Sequence, residues 1–425
     1  MRSAHRAVTV VCLTALLCAW PARAQWADSV GIYHWGGSLK LSASDGINLI
    51  AGLGGHVARL VLSPLYYSEY GSATGCYPNY SLAALAQEPD IQRALDDPRI
   101  NAFILTAYDG VSFGDCSTSK FLNPRFYTPA NVAAMKAEYR DFVLYLFRRY
   151  AGSGRHFVIS NWESDNAVYC NAMSEYASDP AFRLQCDNNY PSYYDGNRNV
   201  QDSLDGLRLW FETRQEGIAE GIRLAEQQAL GGLEVVHAPE INSVRLLESN
   251  GFPSVLQDVL SQIHVDCVSY SAYEAANANR PADALAADIR TIRAATAADQ
   301  IIIGEVGYSR SVWHDAAATR LRAFIDAAFA SGVEYVVSWN LNDQDAAFDF
   351  GAFDSAGKIT STGLLLQTMF QEQDRASRPS SVRPRNTSRF VVISSGTSPT
   401  RVDRVEQGSR LVSTRQAEAR ATLLR

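Results

Sequence analysis

Apolar runs of strand length recur along the chain and alternate with amphipathic stretches of helical length. The eight runs occupy residues 30–35, 56–63, 100–108, 156–162, 233–238, 265–270, 300–305 and 333–339. Helical periodicity separates them, as at 131–150, 207–228, 282–295 and 316–330, and a last helix is predicted near 363–373. Repeated strand and helix units are typical of parallel sheets. Eight such units predict an α/β fold, a closed (β/α)8 TIM barrel.

An open, doubly wound sheet also alternates strands and helices. The nucleotide-binding sheets of that class carry a glycine-rich phosphate turn after the first strand. Here the first strand is followed by His34-Trp35-Gly36-Gly37, which does not have this form. The barrel is therefore the preferred prediction.

Two connections are unusually long, residues 64–88 after the second strand and 164–199 after the fourth. Loops of this length in a compact domain are commonly functional or disordered. Their aromatic content argues against disorder. The tyrosines either form the walls of a cleft or pack the loops onto the barrel; they are Tyr66, Tyr67, Tyr70, Tyr77, Tyr80, Tyr169, Tyr190, Tyr193 and Tyr194.

The two ends of the chain differ from the barrel segment. Residues 1–24 have basic positions, a short apolar run and Ala22-Arg23-Ala24, which predicts a signal peptide cleaved before Gln25. The alternative, an N-terminal anchor, is disfavoured because the apolar run is shorter than the ~20 residues that span a bilayer. We therefore expect a secreted or periplasmic protein whose barrel covers 25–373. The arginine-rich residues 374–425 predict a disordered tail, with 390–393 as a candidate strand.

The net charge of −7 combines an acidic body with this basic tail. That balance argues against a nucleic-acid partner for the body. An exported protein forms disulfides readily, and the loop cysteines suggest the pairs Cys76–Cys116 and Cys170–Cys186. Cys267 lies inside an apolar run and is expected to be a buried free thiol. No Cys/His spacing fits a zinc site, and we expect no metal or other cofactor.

Glu163 and Glu305 are the strongest candidates for chemistry, because each ends a predicted strand. The carboxyl ends of all barrel strands meet at one face, so residues far apart in sequence can face one substrate. Retaining glycoside hydrolysis needs two carboxyl groups about 5 Å apart. A solvated or ion-paired role is the alternative for either residue, and Glu240, close to Asn242, is a second candidate acid. His34 lacks the His-x-His partner of metal-dependent barrels, and no Gly-x-Ser-x-Gly elbow is present.

Over residues 28–373 the chain resembles the retaining glycoside hydrolases of clan A, and glycoside hydrolase family 5 in particular. Gly304-Glu305-Val306-Gly307 is similar to the family's nucleophile motif. Arg59 resembles its second-strand arginine that contacts the nucleophile. Tyr270 or Tyr273 resembles the tyrosine that hydrogen-bonds the nucleophile, and Trp339 the tryptophan beneath the attacked sugar. The resemblance implies Glu163 as acid/base and Glu305 as nucleophile.

The fourth strand differs from the family pattern by one residue. Clan members place asparagine immediately before the acid/base glutamate, whereas this chain has Asn161-Trp162-Glu163. Residues two apart share a face of a strand, so both side chains are expected in the cleft, unless a bulge restores the usual placement. Four other residues at predicted strand ends are candidate sugar contacts, namely His34, Trp35, Tyr108 and His237.

Together these features predict a monomeric, secreted, retaining glycoside hydrolase that cleaves β-linked poly- or oligosaccharides. Two alternatives use the same residues. A non-catalytic carbohydrate-binding barrel would retain the cleft without turnover, and a transglycosylase would differ only in how well it excludes water.

Overall fold

The computed structural model describes residues 26–70, 75–113, 116, 119–188, 199–345 and 348–377, with no side-chain description for 373–377. The predicted signal peptide, the candidate strand at 390–393 and Tyr190, Tyr193 and Tyr194 lie outside these residues. The last helix extends to Ser377, four residues beyond the end predicted from the sequence. Within the described residues, no helix has the length and hydropathy needed to cross a bilayer.

The strands form one parallel barrel with the neighbour order β5-β4-β3-β2-β1-β9-β8-β7-β6. They are β1 Val30–Tyr33, β2 Val57–Leu62, β3 Ala102–Ala107, β4 His156–Ser160, β5 Glu234–Ala238, β6 Glu240–Ile241, β7 Cys267–Ser271, β8 Gln300–Val306 and β9 Val336–Ser338. β5 pairs with β4 and β6 pairs with β7. Pro239 separates these two pieces of the fifth barrel strand because proline has no N–H to donate to a ladder. The predicted (β/α)8 barrel is confirmed.

Helices surround the barrel and fill its connections. In chain order they are α1 Trp26–Ser29, α2 Ala43–Leu53, α3 Tyr66–Glu69, α4 Leu82–Ala86, α5 Pro89–Asp96, α6 Gly110–Phe113, α7 Pro129–Tyr150, α8 Ser164–Val168, α9 Met173–Ser178, α10 Pro180–Asn188, α11 Val200–Gln227, α12 Leu246–Ser249, α13 Val255–Asp258, α14 Tyr273–Ala276, α15 Pro281–Ala295, α16 Arg310–Trp313, α17 Ala316–Ala330 and α18 Ser361–Ser377. Short 3-10 turns lie at Pro124–Phe126 and Leu260–Gln262.

Capping residues fix where the long helices begin. The side chains of Ser42, Thr128 and Asn199 each accept a backbone N–H from the first turn of the helix that follows. Asn199 therefore starts α11 at Val200, seven residues before the apolar periodicity of 207–228 becomes clear.

Alternate residues of each strand pack into two different apolar clusters. In β2, Val57 and Val61 belong to the cluster inside the barrel, whereas Leu60 and Leu62 belong to the layer between barrel and helices. The period of two places successive side chains on opposite faces of the sheet. This alternation decides which polar side chains reach the interior of the barrel.

The long connections contain short helices held by disulfides. Cys76 bonds Cys116, Cys170 bonds Cys186, and Cys267 is a buried free thiol, as the sequence predicted. The described tyrosines after β2 contact one another, with ring centroids 5.4 to 6.4 Å apart across Tyr66, Tyr67, Tyr77 and Tyr80. All four also belong to, or pack against, the apolar layer between barrel and helices, so they pack the connection onto the barrel.

Candidate active site

Glu163 and Glu305 both lie at the carboxyl end of the barrel, where Ser271 at the end of β7 contacts one and Tyr273 at the start of α14 contacts the other. Ser271 Oγ donates to Glu163 Oε1 at 2.6 Å, and Asn166 Nδ2 donates to Glu163 Oε2 at 2.5 Å. Tyr273 OH donates to Glu305 Oε1 at 3.2 Å. Ser271 and Tyr273 are only two residues apart, so the two carboxyl groups face the same small region. Glu163 is 6% exposed and Glu305 is fully buried.

A bulge in β8 gives Glu305 its direction. Ser269 aligns with Ile302 but Ser271 aligns with Glu305, so β8 contains one residue more than β7 over this stretch. The same extra residue appears against β9, between Ile303 and Val306. An extra residue changes which face the following side chain occupies, a frequent device beside active sites.

Arg59 and Glu240 form an ion pair in the centre of this region. The guanidinium donates to both carboxylate oxygens of Glu240, at 2.6 and 3.0 Å, and neither side chain is exposed to solvent. Its other three N–H groups donate to Thr106 Oγ1, to the Gly304 carbonyl and to the Asn161 carbonyl at 2.8 to 2.9 Å. All five donors of the arginine are thus accounted for.

This pairing differs from the family arrangement implied by the sequence. Arg59 directs its donors to Glu240 and to backbone carbonyls, not to the Glu305 carboxylate. Burial disfavours the charge on Arg59, but Glu240, with smaller contributions from Tyr33 and Glu305, offsets it, so the pKa of the arginine is raised above its usual value. Both oxygens of Glu240 are occupied inside the protein, which removes it as a candidate general acid.

A pocket of about 220 Å³ opens beside Glu163. Its wall is half polar and half apolar in surface and comprises Glu163, Asn166, Asn171, Ala172, Met173, Ser174, Glu175, Asn242, Leu246, Ser271, Tyr273, Glu274 and Asn277. Hydroxyl, amide and carboxyl groups at this density are suited to a ligand with many hydroxyl groups. The pocket is formed by the connections after β4, β6 and β7.

Two carboxylates, the buried Asp165 and the half-buried Glu274, fix the connection after β6, which forms one side of the pocket. Asp165 accepts three backbone N–H bonds and Glu274 accepts two; the donors are Asn242, Ser243 and Val255 for Asp165, and Val244 and Arg245 for Glu274. Burial raises the pKa of Asp165 to about 6, although its backbone bonds favour the charged form. Burial also raises the pKa of Glu274.

Aromatic rings lie on the opposite side of the barrel opening. The rings of Trp339 and Trp35 are 5.4 Å apart and tilted by 31°, and Tyr33 contacts Trp339 edge-on at 5.1 Å. The peptide bond from Trp339 to Asn340 is cis. Both predicted tryptophans therefore belong to the same aromatic group at the carboxyl end of the barrel.

Four predicted contact residues point away from this region, and strand alternation explains two of them. Tyr270 donates to Asp288 on α15 at 2.9 Å, and His237 Nδ1 lies 2.9 Å from Gln215 on α11. Both side chains lie on the outer face of the barrel wall, against the helices. Of the two tyrosines left open by the sequence, only Tyr273 reaches Glu305. Burial lowers the pKa of His237 well below its usual value.

The other two have structural contacts of their own. His34 Nε2 lies 2.8 Å from the Ser42 carbonyl oxygen, and its fully buried ring packs against Gly46 of α2. Burial lowers the pKa of His34 to about 4. Tyr108 accepts the backbone N–H of Trp162 at 3.1 Å and stacks on Trp210. Tyr108 thus supports the segment that carries Glu163 from behind.

Asn161 also serves the backbone rather than the pocket. Its Oδ1 accepts the Glu240 N–H at 3.1 Å, and its Nδ2 donates to Ser164 Oγ at 2.9 Å. The expectation that Asn161 and Glu163 both point into the cleft is wrong for Asn161, because β4 ends at Ser160 and strand alternation no longer applies beyond it.

Three contact residues were missed from the sequence: Ser271, Asn166 and Ser269, whose hydroxyl donates to Glu240 at 2.8 Å. Ser269 and Ser271 carried a usable signal. They alternate with the apolar Val268 and Tyr270, which marks small polar side chains on the inner face of β7. Asn166 carried none, since its position depends on how the connection after β4 folds.

Among the described residues, no group of three or more His, Cys, Asp or Glu side chains is arranged to hold a metal ion. No protein-family model matches the sequence, and no curated protein matches it either.

Solved structures resemble the chain in three dimensions. A family 5 subfamily 18 (GH5_18) structure from Streptomyces cattleya in complex with GlcNAc matches with a TM-score of 0.50 and 15% identity, over 83% of this chain and 82% of that one. A GH5_18 structure from Bifidobacterium longum subsp. infantis gives 0.50 and 13%, over 81% and 78%. The β-glycosidase BGL167 gives 0.51 and 12%, over 85% and 99%. The chain therefore has the barrel fold found in these glycoside hydrolase structures.

Proposed function

We propose that the protein is a secreted, retaining glycoside hydrolase that acts on β-linked poly- or oligosaccharides. One observation carries the proposal: two carboxyl groups from different barrel units, Glu163 and Glu305, are bound by Ser271 and Tyr273 of one short segment beside a pocket that Glu163 lines. Double displacement requires two carboxyl groups on one substrate, one as nucleophile and one as acid/base, and contacts to two residues of the same segment support that pairing here.

The reaction starts with Glu163 protonated and Glu305 ionised. A Glu305 oxygen attacks the anomeric carbon, the bond to the leaving oxygen breaks, and the Glu163 proton moves to that oxygen. In the second half, Glu163 takes a proton from water while the water oxygen attacks the anomeric carbon and releases Glu305. The Tyr273 hydroxyl supports the charged form of Glu305 by hydrogen bonding.

We infer the placement of the two sides of the substrate from the position of the pocket. Glu163 lines the pocket and must lie next to the leaving oxygen, so the pocket receives the leaving-group sugar. Its volume of about 220 Å³ is below the ~300 Å³ at which pockets for drug-sized ligands begin, which suits a single sugar ring. Trp339 and Trp35 would contact the sugar under attack through their ring faces.

The test is hydrolysis by the mature protein of 4-nitrophenyl β-glycosides and of β-linked glucans, mannans, xylans and galactans. Glu163→Gln and Glu305→Gln are run alongside, with Glu226→Gln, at an exposed position of α11, as a matched carboxyl-to-amide change away from the pocket. We expect both catalytic-pair variants to lose at least a thousandfold in kcat while the control keeps its rate. Retention is read from the anomer first released, by proton NMR.

Added azide, an external nucleophile, distinguishes the role of nucleophile from that of acid/base. With Glu305→Ala it should give a glycosyl azide of inverted configuration, and with Glu163→Ala one of retained configuration. Full activity in either glutamine variant would contradict the mechanism. Intact sugar binding with no turnover of any substrate would favour the non-catalytic carbohydrate-binding alternative, and transfer to added sugar acceptors in place of water would favour the transglycosylase.

A further inference from the structure

We infer that the buried Arg59–Glu240 ion pair is a positioning unit that sets the placement of Glu163 relative to Glu305 through their backbones. The inference rests on the proposed function, since it assigns a catalytic purpose to two residues that do not touch substrate. Neither side chain is exposed to solvent.

One end of the pair holds the segment that carries Glu163. Glu240 Oε1 accepts the backbone N–H of Glu163 at 3.2 Å. Arg59 Nη2 donates to the carbonyl of Asn161, two residues earlier, at 2.9 Å. The Glu240 backbone N–H donates to the side chain of the same Asn161 at 3.1 Å. Three bonds thus connect the pair to a stretch of three residues that lies beyond the end of β4 and has no ladder bonds to fix it.

The other end holds the bulge that carries Glu305. Arg59 Nη1 donates to the Gly304 carbonyl at 2.8 Å, immediately before the proposed nucleophile. A Cβ on Gly304 would lie 2.1 Å from Glu240 Oε2 and 3.0 Å from Arg59 Nη1, so the bulge backbone is in contact with the pair. The ion pair therefore binds the backbone N–H of Glu163 itself and the carbonyl group that directly precedes Glu305.

Stability alone gives a weak reason for such a pair. Removing two charges from water costs several kcal/mol each, and apolar residues of similar volume often serve as well or better. Apolar residues cannot, however, bond the Glu163 N–H or the Gly304 carbonyl. The pair differs from an apolar replacement mainly in these backbone bonds, and a displacement of about 1 Å at a catalytic group can cost roughly a hundredfold in rate.

This difference makes a double variant the sharpest test. Arg59→Met with Glu240→Leu removes both charges together and leaves no unpaired ion. We expect circular dichroism close to that of the wild type and a lower urea midpoint, because the Glu163 N–H and the Gly304 carbonyl lose their partners inside the protein. We expect kcat on the best 4-nitrophenyl glycoside to fall at least a hundredfold with KM changed less than threefold. A folded double variant with kcat within threefold of the wild type would overturn the inference, as would equal changes in kcat and KM.

Two variants with one substitution each cover the case in which the double variant does not fold. Glu240→Gln keeps an acceptor oxygen for the Glu163 N–H, so we expect kcat at least tenfold above that of Glu240→Ala, at unchanged KM. Equal rates in these two variants would overturn the inference. Tyr270→Phe is the control for loss of a buried polar contact outside the barrel. Glu163→Gln and Glu305→Gln in the same assay keep the outcomes distinct, because their full activity would contradict the proposed function itself.

Discussion

Gly304→Ala is expected to be strongly destabilising, for a reason that can be worked out atom by atom. The added methyl would lie 2.0 Å from Ser269 Oγ and 2.1 Å from Glu240 Oε2, where ordinary van der Waals contact begins at 3.4 Å. Glu240 Oε2 would have to move by at least about 1.3 Å, the difference between these distances. Its 2.6 Å bond to Arg59 has no room for such a shift without breaking.

Breaking a buried pair leaves an uncompensated charge, which costs about 3–5 kcal/mol. We therefore expect the free energy of unfolding to fall by at least about 3 kcal/mol, measured by urea denaturation followed through tryptophan fluorescence. Gly52→Ala is the matched control, because that glycine lies in α2 with no neighbouring atom within 4 Å of an added Cβ. There the same change should stabilise by about 0.5–1 kcal/mol. A loss below about 1 kcal/mol for Gly304→Ala would refute the reasoning.

Three further predictions concern the site and its supports. Tyr273→Phe should lower kcat about tenfold or more, because a hydroxyl bonded to a carboxylate is lost, whereas Tyr270→Phe should leave kcat within twofold; equal losses would contradict the assignment. Asp165 has its pKa raised by burial from 3.8 to about 6, so the folded protein takes up this proton at a higher pH than the unfolded chain does. Its contribution to stability is therefore largest below about pH 4 and falls by about 3 kcal/mol as the pH rises to 6. Asp165→Asn should abolish this dependence, so the difference in unfolding free energy between the wild type and the variant should shrink over that range; a constant difference would refute it. Replacing Cys170 and Cys186 by serine opens a link across 16 residues and should lower stability by about 3 kcal/mol; an unchanged thermal midpoint would count against it.

The local pattern of apolar and polar residues was sufficient to predict the fold, because strands and helices are specified by residues close together in sequence. The alternation of strand-length apolar runs with amphipathic helices predicted the barrel, and strand ends singled out Glu163 and Glu305. Cys170 and Cys186 lie in one long connection, and Cys76 and Cys116 lie in the segments after the second and third strands, which predicted the two disulfides that the structure contains. The strands, the helices and the strand-end positions are expressed within a few residues of sequence or follow from a general rule of barrels.

Partners across the barrel were decided only by the tertiary structure. Arg59 was expected at Glu305 and instead binds Glu240, 181 residues away in sequence, because β2 and β6 both direct polar side chains into the same interior. The β8 bulge, which depends on register against two neighbours, sets the direction of Glu305. His237 and Tyr270 face the helices because strand alternation outweighs nearness to a strand end. The sequence by itself determined the elements and the candidate chemistry, whereas strand register and close packing determined which side chains meet.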